Sequence, residues 1–523
     1  MSNQNELTIL VTSDVHGNVL PINYGNNAYT ELGLSKIVSI IKEERKNAAN
    51  LVLLDNGDLI QGTPLTYHFV RSMGQEMNPM IKILNELHYD AAIIGNHEFN
   101  YGMDVLNRAV NESTFPWLSA NIIDSKTNEP SFGKPYIIKE FPSGLKVAIL
   151  GVTTHYIPNW ENPSHITGLK FEDALETTKT WVKKIRVEEK PDIMVVSYHG
   201  GFECDPETGE PTETPTGENQ GYRMCYEIEG IDVLITGHQH RSISGSINGV
   251  TVIQPSFNAQ MLGKITLGLT NENGSWKIDH SDSQLLSVDL IDEDPDITEL
   301  VKDYENATQT WLDQPMGTLL GDMTIKDSFE TRLKDNALVE FINKVQMDIA
   351  EVSISNTALF NNTSKGFPEC ITMRDVVSNY IYPNTLKVIR ISGEDMKEAL
   401  ERCASYFELD NGQVKVNPAF TTPKPQHYNY DMWEGIEYIL DISKPFGKRV
   451  TQLTYEGKPI DPSGEYDVVM NNYRAGGGGE YSMFKNKRVI KDIPLDMSEV
   501  IANYILSKGT IEATVNHNWK VIW

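Results

Sequence analysis

The sequence predicts an α/β protein of two domains, in which a layered α/β domain is followed by a smaller α+β domain. The chain has 523 residues, which is more than one hydrophobic core usually supports. Its first half repeats short apolar runs typical of buried strands, and each run ends abruptly at polar residues. Its second half mixes apolar positions at helical spacing with strand-like runs, which favours an α+β arrangement.

Five apolar runs define the first domain. They span residues 7–12, 51–54, 91–94, 193–197 and 233–236. In layered α/β folds, the loops that leave neighbouring strands meet at one edge of the sheet, and ligands bind there. We therefore expect one shared site to be built from the polar residues that follow the runs, namely Asp14, His16, Asp58, Asn96, His97, His199, His238 and His240.

The domain boundary is predicted from a change in composition. Residues 289–296 are acidic and weakly apolar, and they lead into a predicted helix at residues 297–312. We place the first domain at residues 1–290, a linker helix region at 291–325 and the second domain at 326–523.

The second domain carries two helix signals and two strand signals. Asp335 is predicted to cap a helix with apolar positions Leu338, Ile342, Val345 and Ile349. Ser392 and Asp395 resemble a capping box, followed by a helix face of Met396, Leu400, Cys403 and Phe407. Strands are predicted at residues 436–442 and 466–471, and we interpret all of these positions as core packing.

Charge and composition exclude several classes of partner. The formal net charge is −27, which repels polymeric nucleic acid and anionic membranes, so we expect neither as a partner. No run approaches the ~18 apolar residues of a transmembrane helix. The amino terminus shows no signal peptide, which predicts a cytoplasmic location. The four cysteines form no C-x-x-C pair, which favours free buried thiols over zinc sites or disulfides. The oligomeric state is left open.

Residues 202–220 form a segment rich in Pro, Glu, Thr and Gly, close after His199. This composition predicts a surface loop. An exposed insertion is favoured over a lid on the site.

The polar residues at the five strand ends have the chemistry of a two-metal site. A carboxylate can bridge two divalent cations, while neutral imidazoles and an Asn carbonyl complete each ligand set. Each residue alone has an ordinary explanation, since Asp-x-His is usually a turn and a lone His is usually just hydrogen-bonded. Five such clusters at five strand ends make coincidence improbable. The sequence predicts two divalent ions, drawn from Mn, Zn, Fe, Co or Ni.

These clusters also match known motifs. They are Asp14-Val15-His16-Gly17, Gly57-Asp58, Gly95-Asn96-His97-Glu98, His199-Gly200 and Gly237-His238-Gln239-His240. With these motifs the sequence resembles the calcineurin-like metallophosphoesterases. The resemblance implies a four-layer β-sandwich flanked by helices as the fold of the first domain.

The resemblance also implies a role for each residue of the cluster. One metal would be held by Asp14, His16, Asp58 and His240, and the other by Asp58, Asn96, His199 and His238. Asp58 would then be the bridging ligand. The implied reaction is in-line attack on phosphorus by a metal-bound hydroxide. His97 follows a ligand directly and would be the general acid for the leaving alkoxide.

Over nearly the whole chain, the sequence resembles two-domain 5′-nucleotidases and, more closely, bacterial 2′,3′-cyclic-nucleotide phosphodiesterase/3′-nucleotidases. The stretches that carry this resemblance are residues 55–62, 95–102, 382–386 and 471–477. In such enzymes the C-terminal domain holds the nucleotide base between two aromatic rings, and the matching residues are Tyr382 and Tyr473. Stacking tolerates different bases because every base has a π-face. Relatives in this family are often exported.

Two departures from the 5′-nucleotidase pattern bear on the substrate. Asn100 stands where those enzymes place an Asp beside the catalytic His; an Asn orients an imidazole but stabilises its positive charge less well. The cyclic-phosphodiesterase branch also carries Asn there. The ligand-binding stretch begins here at Asn356 without the usual glycines or arginine.

The sequence therefore predicts an enzyme that hydrolyses 2′,3′-cyclic nucleotides and 3′-nucleotides. A 5′-nucleotidase or nucleotide-sugar hydrolase is the enzymatic alternative. A non-catalytic nucleotide receptor is an alternative of another class, and the presence of all eight metal-competent and acid/base residues argues against it.

Overall fold

The structure is a computed structural model that describes residues 6–159, 161–213, 215–272, 274–382, 384–422, 424–493 and 495–523. The chain divides into two compact units, Met1–Thr308 and Gln309–Trp523. The division falls within the helix Pro295–Leu312, which confirms the helix predicted at residues 297–312.

The first unit is built from two large sheets and the helices that flank them. Its strands are β1 (Glu6–Thr12), β2 (Ile22–Asn23), β3 (Ala28–Tyr29), β4 (Asn50–Asp55), β5 (Ala91–Ile93), β6 (Trp117–Leu118), β7 (Ile122–Asp124), β8 (Tyr136–Glu140), β9 (Lys146–Thr153), β10 (Leu169–Phe171), β11 (Ile193–His199), β12 (Val233–Ile235), β13 (Ser242–Ile247), β14 (Val250–Pro255), β15 (Met261–Glu272) and β16 (Ser275–Ser287). Its helices are α1 (Leu34–Asn47), α2 (Pro64–Ser72), α3 (Pro79–Glu86), α4 (Met103–Glu112), α5 (Ala174–Glu188), α6 (Gly221–Glu227) and α7 (Pro295–Leu312).

The two sheets pack face to face. One has the order β16-β15-β1-β4-β5-β6 and the other β13-β14-β12-β11-β9-β8. Alternate residues of β1, such as Ile9, share an interior between the sheets with Val195 of β11 and Ile235 of β12. Helices α5 and α6 cover the other face of the second sheet through residues such as Val182 and Met224. The predicted fold class is confirmed.

All five predicted strands of the first unit exist, with ends within two residues of the predicted ones. Strands β1, β4 and β5 run parallel in one sheet, and β11 and β12 run parallel in the other. Parallel strands are covered on both faces, which explains their nearly continuous apolar runs. The predicted metal ligands therefore lie at the carboxyl ends of five aligned strands.

The second unit is an α+β assembly. Its strands are β17 (Pro315–Leu320), β18 (Ile354–Ala358), β19 (Cys370–Thr372), β20 (Leu386–Ser392), β21 (Phe407–Asp410), β22 (Gln413–Val416), β23 (Asp431–Glu434), β24 (Glu437–Asp441), β25 (Val450–Tyr455), β26 (Lys458–Pro459), β27 (Glu465–Asn471), β28 (Arg488–Ile493), β29 (Thr510–Glu512) and β30 (Trp519–Ile522). Its helices are α8 (Ser328–Thr331), α9 (Ala337–Ala350), α10 (Met373–Asn379), α11 (Gly393–Ala404), α12 (Asn472–Ala475) and α13 (Met497–Lys508). The central sheet has the order β23-β18-β27-β20-β28.

Most of the helices, strands and caps predicted for the second unit are confirmed. The Ser392–Asp395 capping box of α11 is confirmed, as are the strands predicted at residues 436–442 and 466–471. The cap of α9 was wrong by one residue. Asn336 accepts the backbone N–H of Val339, whereas the Asp335 carboxylate accepts the N–H of His517.

The assignment of Phe407 to a helix face was also wrong, because α11 ends at Ala404 and Phe407 begins β21. Its side chain is nevertheless fully buried, as expected for a core position.

Two further sequence expectations concern the whole chain. None of the described helices is long and apolar enough to cross a lipid bilayer. All four cysteines are free; Cys225 and Cys403 are buried as expected, Cys204 is half-buried, and Cys370 is exposed.

Candidate metal centre

The predicted metal ligands adopt an unusual backbone conformation where they leave their strands. Asp14, His16, Asp58, His238 and His240 all have positive φ angles, between 50° and 65°. Side chains other than Gly rarely adopt this region, and each instance costs about 1–3 kcal/mol. Fifteen other described residues besides glycines also have positive φ, so this conformation is not confined to the centre, but five of the seven predicted ligands share it.

The first ligand group consists of Asp14, His16 and His240, whose ligand atoms all lie within 4.8 Å of one another. His16 Nε2 and His240 Nε2 are 3.0 Å apart. His240 Nε2 lies 3.5 Å from Asp14 Oδ1. The His240 ring stacks on Phe257 with centroids 4.8 Å apart, which fixes the plane of the imidazole.

The second ligand group consists of Asp58, His199 and His238, again within 4.8 Å of one another. Asn96 lies beside this group. Its Oδ1 is 2.8 Å from His238 Nδ1 and 3.0 Å from His199 Nε2. The two groups contain six of the seven residues predicted to hold metals, and Asn96, the seventh, lies against the second group.

Asp58 reaches both groups. Its Oδ1 accepts the backbone N–H of His97 at 2.7 Å. Its Oδ2 lies 3.2 Å from His199 Nε2 and 3.9 Å from His16 Nε2. This oxygen is buried and accepts no well-aligned hydrogen bond from any residue that the structure describes. A buried anionic oxygen needs positive charge beside it; His199 supplies that charge at 3.2 Å in the absence of metal, and the donor set fits two divalent ions that share Asp58.

The tautomers of two histidines also fit metal binding. His16 Nδ1–H donates to the Gln61 carbonyl at 3.1 Å, and His199 Nδ1–H donates to the Asn56 carbonyl at 2.7 Å. Because a carbonyl only accepts, the proton of each neutral ring must lie on Nδ1. The lone pair is then on Nε2, which faces the ligand groups, and this arrangement is usual for metal-bound imidazole.

The centre attracts positive charge. Burial raises the pKa of Asp14, and the Asp58 carboxylate adds to this effect. Burial also raises the pKa of the neighbouring Asp55 to about 8. Burial alone would lower the pKa of His199, but the Asp58 carboxylate outweighs it and raises that pKa to about 10. Without cations the cluster therefore holds protons, which divalent ions would displace.

Glu98 is a structural residue of the centre to which the sequence analysis gave no role. Its fully buried carboxylate accepts the backbone N–H groups of Gly95, Asp58 and Leu59 at 2.7, 2.9 and 2.7 Å. It thus ties the loop after β4 to the loop after β5. Gly95 permits this close approach, since a Cβ there would lie 2.4 Å from Asp58 Oδ1. The available signal was an acidic residue inside the Gly95-Asn96-His97-Glu98 motif.

His97 begins a single-turn 3₁₀ helix, His97–Phe99, directly after Asn96. Its ring makes an edge contact with His16, with centroids 5.1 Å apart. His97 Nδ1–H donates to Asn100 Oδ1 at 2.6 Å, which leaves Nε2 as the nitrogen for proton exchange. The structure therefore brings the predicted acid and its predicted partner Asn100 together at the metal groups.

The segment 202–220 differs from its prediction at its end. Asn219 and Gln220 are buried, and Asn219 Oδ1 accepts the N–H of Gly201 at 2.6 Å. Glu218 Oε1 lies 2.8 Å from His238 Nε2, on the far side of that ring from Asn96. This part of the segment is fastened beside the second ligand group, so the expectation of a plain exposed insertion was wrong for it. Thr214 lies outside the described residues.

The predicted base-stacking residues lie in the second unit and share a neighbour. Tyr428 makes edge-to-face contacts with both Tyr382 and Tyr473, at centroid distances of 5.8 and 6.4 Å. Phe360 also makes an edge contact with Tyr382, with centroids 5.6 Å apart. All three tyrosines are half-buried. Tyr428 has no counterpart in the sequence analysis, and Pro383 of the predicted motif lies outside the described residues.

Asn356, the other predicted substrate residue, lies on β18 and is fully buried. Neither its amide oxygen nor its amide nitrogen has a hydrogen-bond partner among the described residues. It pairs across the sheet with Trp433 of β23. Its side chain is not exposed in this conformation, and its role in substrate binding stays a prediction.

Comparison with known proteins follows the same two-part division. Residues 7–242 match the family model of calcineurin-like phosphoesterases, and residues 315–486 match that of the 5′-nucleotidase C-terminal domain. The 2′,3′-cyclic-nucleotide 2′-phosphodiesterase/3′-nucleotidase of Salmonella typhimurium is 29% identical over 586 residues, covering 99% of this chain and 89% of that protein.

Two further relatives extend the comparison. The trifunctional nucleotide phosphoesterase protein YfkN of Bacillus subtilis is 28% identical over 99% of this chain, which spans 39% of the length of YfkN. A protein of Staphylococcus aureus assigned as a 5′-nucleotidase, solved in complex with alpha-ketoglutarate, is 34% identical with a TM-score of 0.90. That match covers 99% of this chain and all of the other.

Proposed function

The chain belongs to the two-domain 5′-nucleotidase family, with a calcineurin-like metallophosphoesterase domain before a 5′-nucleotidase C-terminal domain, and we propose that it hydrolyses nucleotide phosphoesters. The preferred substrates are 2′,3′-cyclic nucleotides and 3′-nucleotides. The relatives named for those activities match 99% of the chain, which supports this choice.

One observation carries the proposal for a two-metal reaction. Asp58 Oδ2 is buried, lacks a well-aligned donor among the described residues, and lies near a histidine of each ligand group. Asp14, His16, Asp58 and His240 would hold one ion, and Asp58, Asn96, His199 and His238 the other. When bound, two divalent cations supply charge that neutralises the phosphoryl oxygens and lowers the pKa of bound water.

The remaining steps belong to the protein's own groups. His97 holds a proton on Nε2 and delivers it to the leaving oxygen of the nucleoside. Asn100 fixes the ring by accepting from Nδ1–H. Glu98 keeps Asp58 in place through the backbone. Tyr382 and Tyr473 bind the base by stacking, and Tyr428 supports both rings.

A 5′-nucleotidase is the second candidate, favoured by the Staphylococcus aureus relative assigned that activity. Asn100 instead of Asp beside His97 argues for the cyclic-phosphodiesterase activity. A non-catalytic receptor is disfavoured, because both ligand groups are present and His97 lies next to them through its backbone hydrogen bond to Asp58.

The test compares adenosine 2′,3′-cyclic phosphate, 3′-AMP and 5′-AMP at equal concentration, with products separated by chromatography. Activity is expected on the first two, to be lost with EDTA and restored by Mn²⁺. Turnover of 5′-AMP alone would favour the second candidate. No turnover of any of the three in metal-loaded, folded protein would favour the receptor.

Replacing Tyr473 or Tyr382 by Ala is expected to raise KM for 3′-AMP about 5- to 150-fold, corresponding to roughly 1–3 kcal/mol of stacking per ring. Hydrolysis of bis(p-nitrophenyl) phosphate, which carries no base, should change little. Tyr473→Phe keeps the ring and serves as the control. Equal losses on both substrates would contradict base stacking.

A further inference from the structure

Behind His97 and Asn100 stands a third residue, Glu161, which follows β9 in the chain. Asn100 Nδ2 donates to Glu161 Oε2 at 2.7 Å. The Glu161 side chain is only 4% exposed. A continuous chain of hydrogen bonds therefore runs from a buried carboxylate through an amide to the imidazole of His97.

The direction of this chain is set by Glu161. An Asn side chain can present either its oxygen or its nitrogen to a neighbour, because the two ends have nearly the same shape. A carboxylate only accepts, so the amide nitrogen of Asn100 must face Glu161. The amide oxygen then faces His97 and requires a proton on Nδ1. With the amide reversed, Nδ1 would have to accept, and the proton of a neutral ring would lie on Nε2.

Glu161 is itself held in place. Its Oε1 accepts the backbone N–H of Asn162 at 2.7 Å and lies 3.1 Å from His165 Nδ1. Both carboxylate oxygens therefore have partners, and the side chain has no need to turn away from Asn100. A fixed and buried acceptor of this kind can select one orientation of the amide, which a solvent-exposed carboxylate would do only weakly.

We propose that Glu161 is a positioning residue for the phosphoester reaction, which orients the Asn100 amide and thereby presents His97 Nε2 to the leaving group. This inference rests on the proposed function, because it assigns Glu161 to the proton donor of that reaction. Among the described residues, no hydrogen bond or ion pair given for Glu161 involves a predicted metal ligand; its link to His97 runs through Asn100.

The first test is Glu161→Gln, which introduces an amide that can donate to Asn100 and permits the Asn100 amide to reverse. Turnover of 3′-AMP is expected to fall on the order of 10- to 100-fold. KM and metal content should stay within about 3-fold, and bis(p-nitrophenyl) phosphate should be nearly unaffected, because p-nitrophenolate leaves without a proton. Glu207→Gln, at an exposed position of the same unit, is the matched control.

In the second test, Glu161→Gln is expected to raise 3′-AMP turnover instead of lowering it, because it is combined with a change at Asn100. Asn100→Asp alone places a carboxylate against Glu161, and this repulsion is expected to impair 3′-AMP turnover. Adding Glu161→Gln should restore turnover to within about 5-fold of the wild type. In the double variant, the new carboxylate at position 100 would accept from both His97 Nδ1–H and the new amide at position 161. A purely structural role of Glu161 predicts that two changes are worse than one.

Full 3′-AMP turnover in Glu161→Gln would overturn the proposal. So would equal losses on both substrates, or a double variant less active than Asn100→Asp. The rescue keeps the test decisive even if Glu161→Gln alone folds poorly. If wild-type protein with Mn²⁺ hydrolysed neither substrate, the proposed function would fail instead, which is a different result.

Discussion

Asp58→Asn is expected to lower hydrolysis of both 3′-AMP and bis(p-nitrophenyl) phosphate by about 10³-fold or more, since it removes several kcal/mol of charge stabilisation. Asp58 is the carboxylate that reaches both ligand groups, and its Oδ2, which accepts no well-aligned hydrogen bond from a described residue, lies near a histidine of each. An amide in its place loses the negative charge and can direct N–H groups toward the cations. Hydrolysis of both substrates should fall by the same factor, because the lost charge stabilisation does not depend on the leaving group.

The measurement for Asp58→Asn combines activity, metal content and thermal unfolding. Wild-type protein is expected to bind two ions per chain and to gain thermal stability when Mn²⁺ is added, because ligands that bind only the native state stabilise it. The variant should lose most of that gain. Asp104→Asn, the same change at an exposed residue of α4, is the control. Two bound ions and intact activity in Asp58→Asn would contradict the shared-ligand arrangement.

His97→Asn is expected to reduce 3′-AMP turnover by about 10²–10⁴-fold and to affect a p-nitrophenyl ester far less. A nucleoside alkoxide needs a proton to leave, whereas p-nitrophenolate is stable as an anion. Metal content should not change, because the direct bond of His97 to a predicted ligand is its backbone N–H to Asp58 Oδ1, and Asn keeps that N–H.

The alternative role for His97 is to brace the loop that holds Asn96. In that case the His97→Asn variant would bind less metal, and its activity on both substrates would fall by the same factor. Measuring the two substrates and the bound ions on one preparation distinguishes the roles. The same measurements on Asn100→Ala should show a weaker form of the leaving-group pattern, since Asn100 orients His97 rather than donating the proton.

The layered fold and the metal cluster were predictable because they depend on short-range patterns. An apolar run that stops at Asp14 or His199 marks a buried strand and its functional end in the same few residues. Asn336 was missed as the cap of α9 because Asp335, next to it, carries an equally good capping side chain. Asp335 is not the cap because its carboxylate accepts the backbone N–H of His517, a residue far away in the sequence.

The residues that support the site were not predictable, because their partners are also distant in the sequence. Glu161, Glu218 and Tyr428 take their roles from partners that are close in space, and no periodicity marks them, whereas Glu98 at least lies inside a motif that follows a strand. Glu218 lay in a segment whose composition indicated exposure, yet His238 and the burial of Asn219 hold that end of the segment against the site. Sequence patterns identify residues that directly follow a predicted strand. They do not identify residues that other segments of the fold bring to the site.

The left-handed backbone at five of the ligands limits which substitutions this centre can tolerate. Coordination chemistry alone would allow glutamate or cysteine in place of aspartate or histidine. Among residues other than glycine, however, Asp, Asn and His are the ones enriched at positive φ. At Asp14, His16, Asp58, His238 and His240 the same few side chains satisfy both the metal and the main chain. Exchange of one ligand type for another at these positions therefore changes the backbone energy as well as the coordination chemistry, so the two effects must be tolerated together.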